Sequence, residues 1–265
     1  MAKAKIKIKN SRTPAEQVKR ILNDNSSFEV TEAYKSLRTN IMFSMPATES
    51  GKVILLTSAS PGEGKTTTST NLAITFAQLG AKTILIDADL RASRLIRYLD
   101  LRHSEGLSNL LCGFSTFEKA VIRDARPNLD VLCAGKTPPN PAELLASPSF
   151  SALVEGLRER YDYIIIDTPP VAAITDAAIM TKCSDGAIVI VHEGQTNYDR
   201  LDEAINALRH TGVRILGLVN VGVQHSKGSY GYGYGYGYGH NRYRDYAAAA
   251  AAAKSSADEE TDTSR

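Results

Sequence analysis

The sequence predicts an α/β fold in which a mostly parallel sheet is flanked by helices. Short runs of aliphatic and β-branched residues alternate with helical stretches along the chain, and each run is apolar throughout instead of at every second position. Strands that are buried on both faces have this composition, and they occur in parallel sheets covered by helices. In addition, a glycine-rich phosphate-binding motif follows the first run and opens a helix.

The elements can be placed in order along the chain. The first is a helix over 28–45, with Thr31 as its N-cap and with Tyr34, Leu37 and Ile41 at helical spacing. The predicted strands are 52–58, 83–87, 129–135, 161–167, 186–191 and 213–221. The predicted helices between them include 65–79, 149–160 and 198–210. Ligands of such a sheet bind beyond the carboxyl ends of its strands.

Three segments are predicted among the 265 residues. Residues 1–27 are polar and form a flexible arm; its early lysines are either solvated or attracted to anionic lipid, at about 1 kcal/mol per lysine. Residues 28–228 form the domain that contains the phosphate-binding motif. Residues 229–265 begin with alternating tyrosine and glycine, which predicts disorder because little can be buried. The seven alanines at 247–253 indicate no function.

Composition excludes several classes of protein. The net charge of +2 gives no sign of nucleic-acid binding. Cys112, Cys133 and Cys183 form no closely spaced pair, so neither a cysteine metal cluster nor a disulfide framework is expected, and a reducing compartment is indicated. No run approaches the roughly 18 apolar residues of a membrane span, and the N-terminal lysines precede no signal-type apolar segment. A soluble, cytoplasmic protein is expected.

The phosphate-binding motif is SASPGEGKTT at 58–67. Its glycines let backbone amides turn toward phosphate oxygens, and the following helix adds partial positive charge at its N-terminus. A lysine supplies a cation and a threonine hydroxyl can ligate Mg²⁺. Ala59 replaces the usual first glycine, so a plain glycine-rich turn is the competing interpretation. The predicted phosphate-binding residues are Ser60, Pro61, Gly62, Glu63, Gly64, Lys65, Thr66 and Thr67.

Carboxylates follow two further apolar runs. Asp87 ends the run ILID at 84–87, and Asp89 lies two residues later. If the strand continues as far as Asp89, the two side chains point the same way. Such a pair can hold Mg²⁺, or one member can accept a hydroxyl proton, and Arg91 follows two residues later. Asp167 ends the run YIIID at 163–167. This is the position of the Walker B aspartate, which holds the water shell of Mg²⁺. Ordinary strand-end aspartates are the alternative. No NKxD element is present, so ATP is the expected nucleotide.

These motifs together make the chain resemble the bacterial tyrosine kinases of capsule and exopolysaccharide operons. The resemblance extends from about residue 32 to 222. The segments that carry it are EAYKSLRTN (32–40), SASPGEGKTT (58–67), ILIDADLR (84–91), GLSNLL (106–111), VLCAGKTPPNPAELL (131–145), YDYIIIDTPPV (161–171) and SDGAIVIV (184–191). A C-terminal tyrosine cluster is the family's other hallmark, and seven of the twelve tyrosines lie between 230 and 246.

The resemblance implies a P-loop NTPase fold similar to the MinD and ParA ATPases, with ATP and Mg²⁺ as cofactors. Lys65, Asp87, Asp89, Asp167 and Arg91 are the implied catalytic residues. Asp87 would be the base toward the tyrosine hydroxyl, and Thr66, Asp89 and Asp167 would position the metal. Asn220 is a candidate adenine contact or a structural asparagine.

The resemblance also implies how the kinase is assembled and regulated. Glu32, Lys35 and Arg38 match the family's oligomerisation pattern, although Lys35 replaces an arginine and so loses the bidentate fork; a solvated helix face is the alternative. Implied partners are a transmembrane adaptor that recruits and activates the kinase at the inner membrane face, further copies in a ring, and a tyrosine phosphatase. The implied autophosphorylation sites are Tyr230, Tyr232, Tyr234, Tyr236, Tyr238, Tyr243 and Tyr246.

Two other functions compete with this prediction. An ATPase switch of the MinD class would use ATP to control dimerisation, but such proteins usually carry an early second lysine where this chain has Ser60. A non-catalytic domain with an adhesive tail fits the Tyr-Gly repeat. The intact Lys65, Asp87, Asp89 and Asp167 argue against that interpretation.

Overall fold

The computed structural model describes residues 20–45 and 50–223. Within these ranges a seven-stranded sheet has the order β3-β4-β2-β5-β1-β6-β7, and only the β3–β4 pair is antiparallel. The strands are β1 Lys52–Ser58, β2 Thr83–Asp87, β3 Val121–Arg126, β4 Leu129–Leu132, β5 Tyr163–Asp167, β6 Gly186–His192 and β7 Ile215–Val221. The mostly parallel α/β fold predicted from the sequence is confirmed.

The helices lie on both faces of this sheet. They are α1 Phe28–Ser44, α2 Lys65–Gln78, α3 Leu95–Tyr98, α4 Leu107–Leu111, α5 Phe117–Ala120, α6 Pro141–Leu145, α7 Pro148–Arg158, α8 Asp176–Met180 and α9 Tyr198–His210. A 3₁₀ turn at Thr181–Cys183 follows α8. None of the described helices is long and apolar enough to cross a membrane.

Alternating strand residues supply two separate cores. In β1, Val53 and Leu55 face a core shared with α7 and α9, whereas Ile54 and Leu56 face a core shared with α1, α2 and α3. All four side chains are fully buried. A strand that is apolar at every position is therefore explained by the two layers of helices that cover the sheet.

Three details differ from the sequence predictions. Helix α1 is capped by Ser27, whose side chain accepts from the Val30 amide, and not by Thr31. The run at 129–135 forms a strand only as far as Leu132. Strand β7 is only partly buried because it lies at the sheet edge, with β6 as its one partner among the described strands. Its apolar composition alone did not distinguish an edge strand from an inner one.

Strand β3 was not predicted at all. Its sequence, VIRDAR, is mostly charged after the first two residues, so it lacks the apolar run used to find the other strands. The strand is also irregular, because its register against β4 shifts between Ile122 and Arg126 and Asp124 has a left-handed φ of 46°. A bulge of this kind is common at sheet edges.

Candidate active site

Three neighbouring strands bring the predicted motifs to one edge of the sheet. Strand β5 lies between β2 and β1, and Asp167 is in register with Asp87 on one side and Leu56 on the other. The phosphate loop leaves β1 two residues beyond Leu56. All three motifs therefore meet at the carboxyl ends of parallel strands, as predicted for a ligand site of this fold.

The loop before α2 has the backbone that a phosphate cradle needs. Gly62 and Gly64 have φ values of 85° and 94°, which is the left-handed region that side chains disfavour. A Cβ at Gly64 would lie 3.3 Å from Val221 Cγ2, so space as well as conformation selects glycine there. Helix α2 begins at Lys65, directly after this turn. The helix N-terminus and the loop amides thus form an anion site.

Lys65 supplies the cation of this site and is only 8% exposed. Burial lowers the pKa of its ammonium group, and the nearby carboxylates of Asp167, Asp89 and Glu63 oppose that change. The carboxylates help to keep the buried ammonium group charged, and its attraction for a bound phosphate is screened less by water than that of an exposed lysine.

Asp87 is fully buried at the end of β2. Its Oδ2 accepts from the Ser93 hydroxyl at 2.7 Å and from the Leu95 amide at 3.4 Å, and its Oδ1 accepts from the Asp89 amide at 3.1 Å. Burial, followed by the charge of Asp167, raises the pKa of Asp87 to about 7. A carboxylate with such a pKa accepts a proton far more readily than an exposed aspartate does.

Asp89 lies outside the strand, because β2 ends at Asp87. It is only partly buried, and its Oδ1 accepts from the Ala92 amide at 3.0 Å. The strand continuation that would have aligned the two aspartates is therefore absent. The two carboxylates instead occupy different environments, one enclosed and one open to solvent.

Asp167 is the second enclosed carboxylate and is 1% exposed. Burial raises its pKa to about 6, whereas the charge of Lys65 and the hydroxyls of Thr66 and Ser69 oppose the rise. Its Oδ1 is buried and has no hydrogen-bond partner in the described part of the chain. A buried oxygen of this kind requires a ligand or water.

These groups fit a magnesium nucleotide. Mg²⁺ keeps several waters and usually takes one or two protein carboxylates together with substrate phosphates. The unpartnered Asp167 oxygen beside the Thr66 hydroxyl matches such a site. No cluster of three or more His, Cys, Asp or Glu side chains suited to a metal occurs among the described residues.

The remaining predicted site residues lie elsewhere or have other partners. Arg91 is exposed and pairs with the buried Asp176 through Nε at 2.8 Å and through a second nitrogen at 3.3 Å. Glu63 is fully buried and its oxygens are already used within the protein. Asn220 is exposed on β7, opposite Val191. Catalytic, phosphate-binding and adenine-binding roles for these residues stay predictions.

The predicted oligomerisation residues have partners within the chain. Lys35 pairs with Glu32 on the same helix at 2.8 Å, and Arg38 donates to the Thr75 carbonyl of α2 at 2.7 Å. The Arg38 Nε is buried with no hydrogen-bond partner in the described region. The seven tail tyrosines lie outside the described residues.

Comparison with known proteins gives consistent results. A family profile described as an AAA domain matches residues 51–212. Tyrosine-protein kinase YwqD of Bacillus subtilis is 41% identical over 199 residues, which cover 75% of this chain and 84% of that protein. Tyrosine-protein kinase CpsD of Streptococcus agalactiae serotype III is 38% identical over 201 residues, which cover 76% and 85%.

Solved structures agree with these sequence relatives. The kinase domain of Escherichia coli tyrosine kinase ETK superposes with a TM-score of 0.73 at 33% identity, covering 80% of this chain and 84% of that one. MinD of Pyrococcus horikoshii, complexed with Mg-ADP, has a TM-score of 0.55 at 24% identity and so shares the fold, covering 63% and 69%. The chain therefore belongs to the bacterial tyrosine-protein kinases, and it is a nucleotide-binding enzyme of that family.

Proposed function

We propose that this kinase uses Mg-ATP to phosphorylate the tyrosines of its own C-terminal tail and thereby regulates the polymerisation and export of a capsular or exocellular polysaccharide. One observation carries the proposal: a phosphate loop, a buried lysine and an enclosed carboxylate of raised pKa meet at one edge of the sheet. Kinase relatives and the seven tyrosines between 230 and 246 support it.

The phosphate loop holds the nucleotide. The amides around Gly62 and Gly64 donate to the phosphate oxygens, and Lys65 adds its charge at the β- and γ-phosphates. Thr66, Asp89 and Asp167 are the residues that would hold Mg²⁺ and its waters, and the ion would neutralise charge that develops on the phosphates. Such a site works mainly by positioning and by electrostatic stabilisation.

Asp87 is the proposed base for the tyrosine. The incoming tyrosine hydroxyl replaces Ser93 as the donor to Asp87 Oδ2, and its proton passes to that carboxylate during transfer. A bond forms between the tyrosine oxygen and the γ-phosphorus as the bond from that phosphorus to the β–γ bridging oxygen breaks, and ADP leaves. The raised pKa of Asp87 favours the proton transfer.

The acceptors are the tail tyrosines of a neighbouring copy. Alternation with glycine leaves each tyrosine at 230–238 without a bulky neighbour. Each phosphate adds about −1.5 to −2 charges, so seven modified sites add roughly ten to fourteen. Tails so charged repel one another within a ring, and we propose that this repulsion drives disassembly.

The proposed partners follow from the family. A transmembrane adaptor recruits the kinase to the inner face of the plasma membrane and activates it, and a tyrosine phosphatase resets the tail. The solved chimerical protein CapA2B2 is similar to this chain, with a TM-score of 0.71 and 36% identity, covering 74% of this chain and 86% of that one. Helix α1, with Glu32, Lys35 and Arg38, is the proposed ring contact.

Mass spectrometry tests this function directly. The purified full chain is incubated with Mg-ATP, with and without the cytoplasmic tail of a candidate adaptor, and phosphate is mapped on the tyrosines. A Lys65→Met chain is the control. Phosphate on the 230–246 tyrosines that is absent from the control is the expected result.

ATP hydrolysis without phosphotyrosine, measured while the adaptor peptide is bound, would favour an ATPase switch of the MinD class instead. Tail peptides that self-associate without any turnover of ATP would favour the adhesive, non-catalytic alternative. Identical sizes of phosphorylated and dephosphorylated samples would overturn the proposed disassembly by repulsion.

A further inference from the structure

We propose that Thr196 is a positioning residue for the kinase reaction, and that its hydroxyl, through the carboxylate of Glu63, holds the phosphate loop in its nucleotide-binding conformation. Thr196 belongs to none of the phosphate-binding motifs. It lies in the turn that follows β6, and 133 positions separate it from Glu63 in the sequence.

Glu63 lies within the phosphate loop but is fully buried. Its Oε2 accepts from the Ser60 amide at 2.9 Å, so the carboxylate spans the loop and fixes one of the amides at its start. Its Oε1 accepts from the Thr196 hydroxyl at 2.8 Å. Both oxygens are thus used to brace the loop. A carboxylate in this position needs both donors, because an unpaired buried charge is costly.

The turn that carries Thr196 is itself held in place. The Thr196 hydroxyl accepts from the His192 amide at 2.8 Å, and the Glu193 amide donates to the Val221 carbonyl at 2.9 Å. The residue that follows β7, Gly222, packs on the His192 ring so closely that a Cβ there would lie 2.6 Å from Cε1. The ends of β6 and β7 therefore form a fixed support against which Glu63 holds the loop.

The charge of Glu63 also matters for the site. Its negative charge favours the protonated form of Lys65, which burial disfavours. The same charge would repel phosphate if it faced the cradle. Donation from Ser60 and Thr196 keeps the carboxylate directed into the protein, so it supports the lysine without facing the nucleotide. Removing the Thr196 hydroxyl frees one oxygen and loosens this arrangement.

A matched pair of substitutions tests the role of the hydroxyl. Thr196→Val keeps the shape and removes the hydroxyl, whereas Thr196→Ser keeps the hydroxyl. In the full chain, the Thr196→Val variant should bind a magnesium complex of a non-hydrolysable ATP analogue about tenfold more weakly, as expected for losing a hydrogen bond to a charged group. Its KM for ATP should rise similarly while kcat for phosphotyrosine formation stays within about twofold, because ground-state and transition-state binding are lost alike. Thr196→Ser should restore binding.

A double-mutant cycle with Glu63→Gln tests whether Thr196 acts through Glu63. Glu63→Gln should weaken nucleotide binding by itself, because one amide oxygen cannot accept from both Ser60 and Thr196 and the charge that strengthens each bond is gone. Adding Thr196→Val should then cost about twofold or less, since most of the shared interaction is already lost. Melting temperatures of the nucleotide-free chains are measured alongside.

Three results would overturn the proposal. They are unchanged nucleotide affinity in Thr196→Val, whatever its melting temperature; equal losses in Thr196→Val and Thr196→Ser; and additive losses in the double variant. If Thr196→Val does not fold, Glu63→Gln and Thr196→Ser decide the matter, and unchanged affinity in Glu63→Gln contradicts the brace.

Discussion

Replacing Arg158 by alanine removes a side chain that joins three elements at the edge of the sheet opposite the active site. Its guanidinium, at the end of α7, lies 2.7 Å from the Gly51 carbonyl just before β1 and forms a bidentate pair with Asp185, just before β6, at 2.7 and 3.0 Å. It also donates to the Cys183 carbonyl at 3.1 Å. Asp185 in turn accepts from the Val53 amide at 2.7 Å.

The burial of this pair sets the size of the effect. The side chains of Arg158 and Asp185 are 14% and 26% exposed, so the pair is enclosed but not dry. Breaking a fully buried pair costs about 3–5 kcal/mol, because a charge is left without its partner. Here water can reach Asp185, which also keeps the Val53 amide, so we expect a loss of about 2–4 kcal/mol. At about 2–4 °C per kcal/mol, Tm should fall by about 5–15 °C.

Calorimetry of the full chain measures this change, and Arg160→Ala provides a matched control two residues away. The Arg160 side chain is 57% exposed and its guanidinium lies 3.9 Å from the Glu118 carboxylate, so its loss should cost less than about 1 kcal/mol. Arg158→Lys keeps the positive charge but cannot bind the Asp185 carboxylate through two nitrogens, so its Tm should lie between those of Arg158→Ala and Arg160→Ala. A Tm for Arg158→Ala within about 2 °C of the Arg160→Ala value would refute the reasoning.

Three further substitutions or modifications probe the site. Gly64→Ala should abolish detectable ATP binding, because the phosphate loop has a left-handed φ of 94° there. Gly80→Ala is the control: with φ 87° and open space around it, the change should cost about 1–2 kcal/mol of stability and leave ATP binding intact. Equal ATP binding in both variants would contradict this. Cys112 is exposed and should react with iodoacetamide at pH 8. Cys133 should react only on unfolding, because burial and then the charge of Asp87 raise its pKa to about 12 and keep it a thiol; equal rates would refute the expected difference. Asp87→Asn should lower kcat by about 10²- to 10⁴-fold with little change in ATP affinity, as loss of a base predicts, and an unchanged kcat would exclude Asp87 as the base.

The parts of the site that the sequence predicted are those that depend on residues close together in the chain. Asp87 and Asp167 each end an apolar run, and Lys65 follows the glycine-rich loop after another such run, so the strands that position them could be recognised from neighbouring residues. Parallel strands then bring those ends together without further information. This is why the strands that carry the phosphate loop and two of the carboxylates were recognised, whereas the roles of these residues stay predictions.

The part that was not predicted depends on contacts between distant residues. Arg91 pairs with Asp176, 85 positions away, and Glu63 accepts from Thr196, 133 positions away. Neither partner lies in a recognisable motif, and no local periodicity indicates either contact. The orientation of Asp89 was left conditional on the strand continuing, because the point where a strand ends is decided by hydrogen bonds to other segments; β2 ends at Asp87.

The prediction of the fold was limited in the same way, because it also depended on local sequence patterns. Inner strands were recognised because they are buried on both faces and are therefore apolar at nearly every position. The antiparallel strand β3 is stabilised instead by pairing with β4 and by contacts such as the 2.7 Å ion pair between Arg123 and Asp130. A polar edge strand of this type has no sequence pattern that separates it from a loop.

Transfer of phosphate between two copies of the chain tests the central claim most directly. One full chain carries Lys65→Met and intact tail tyrosines, and the other has an intact site with the seven tail tyrosines replaced by phenylalanine. Each is incubated with Mg-ATP alone and in a mixture, with the adaptor tail present, and phosphotyrosine is mapped by mass spectrometry. The account predicts phosphate on the tail of the Lys65→Met chain in the mixture only. A mixture that hydrolyses ATP and leaves that tail unmodified would contradict it.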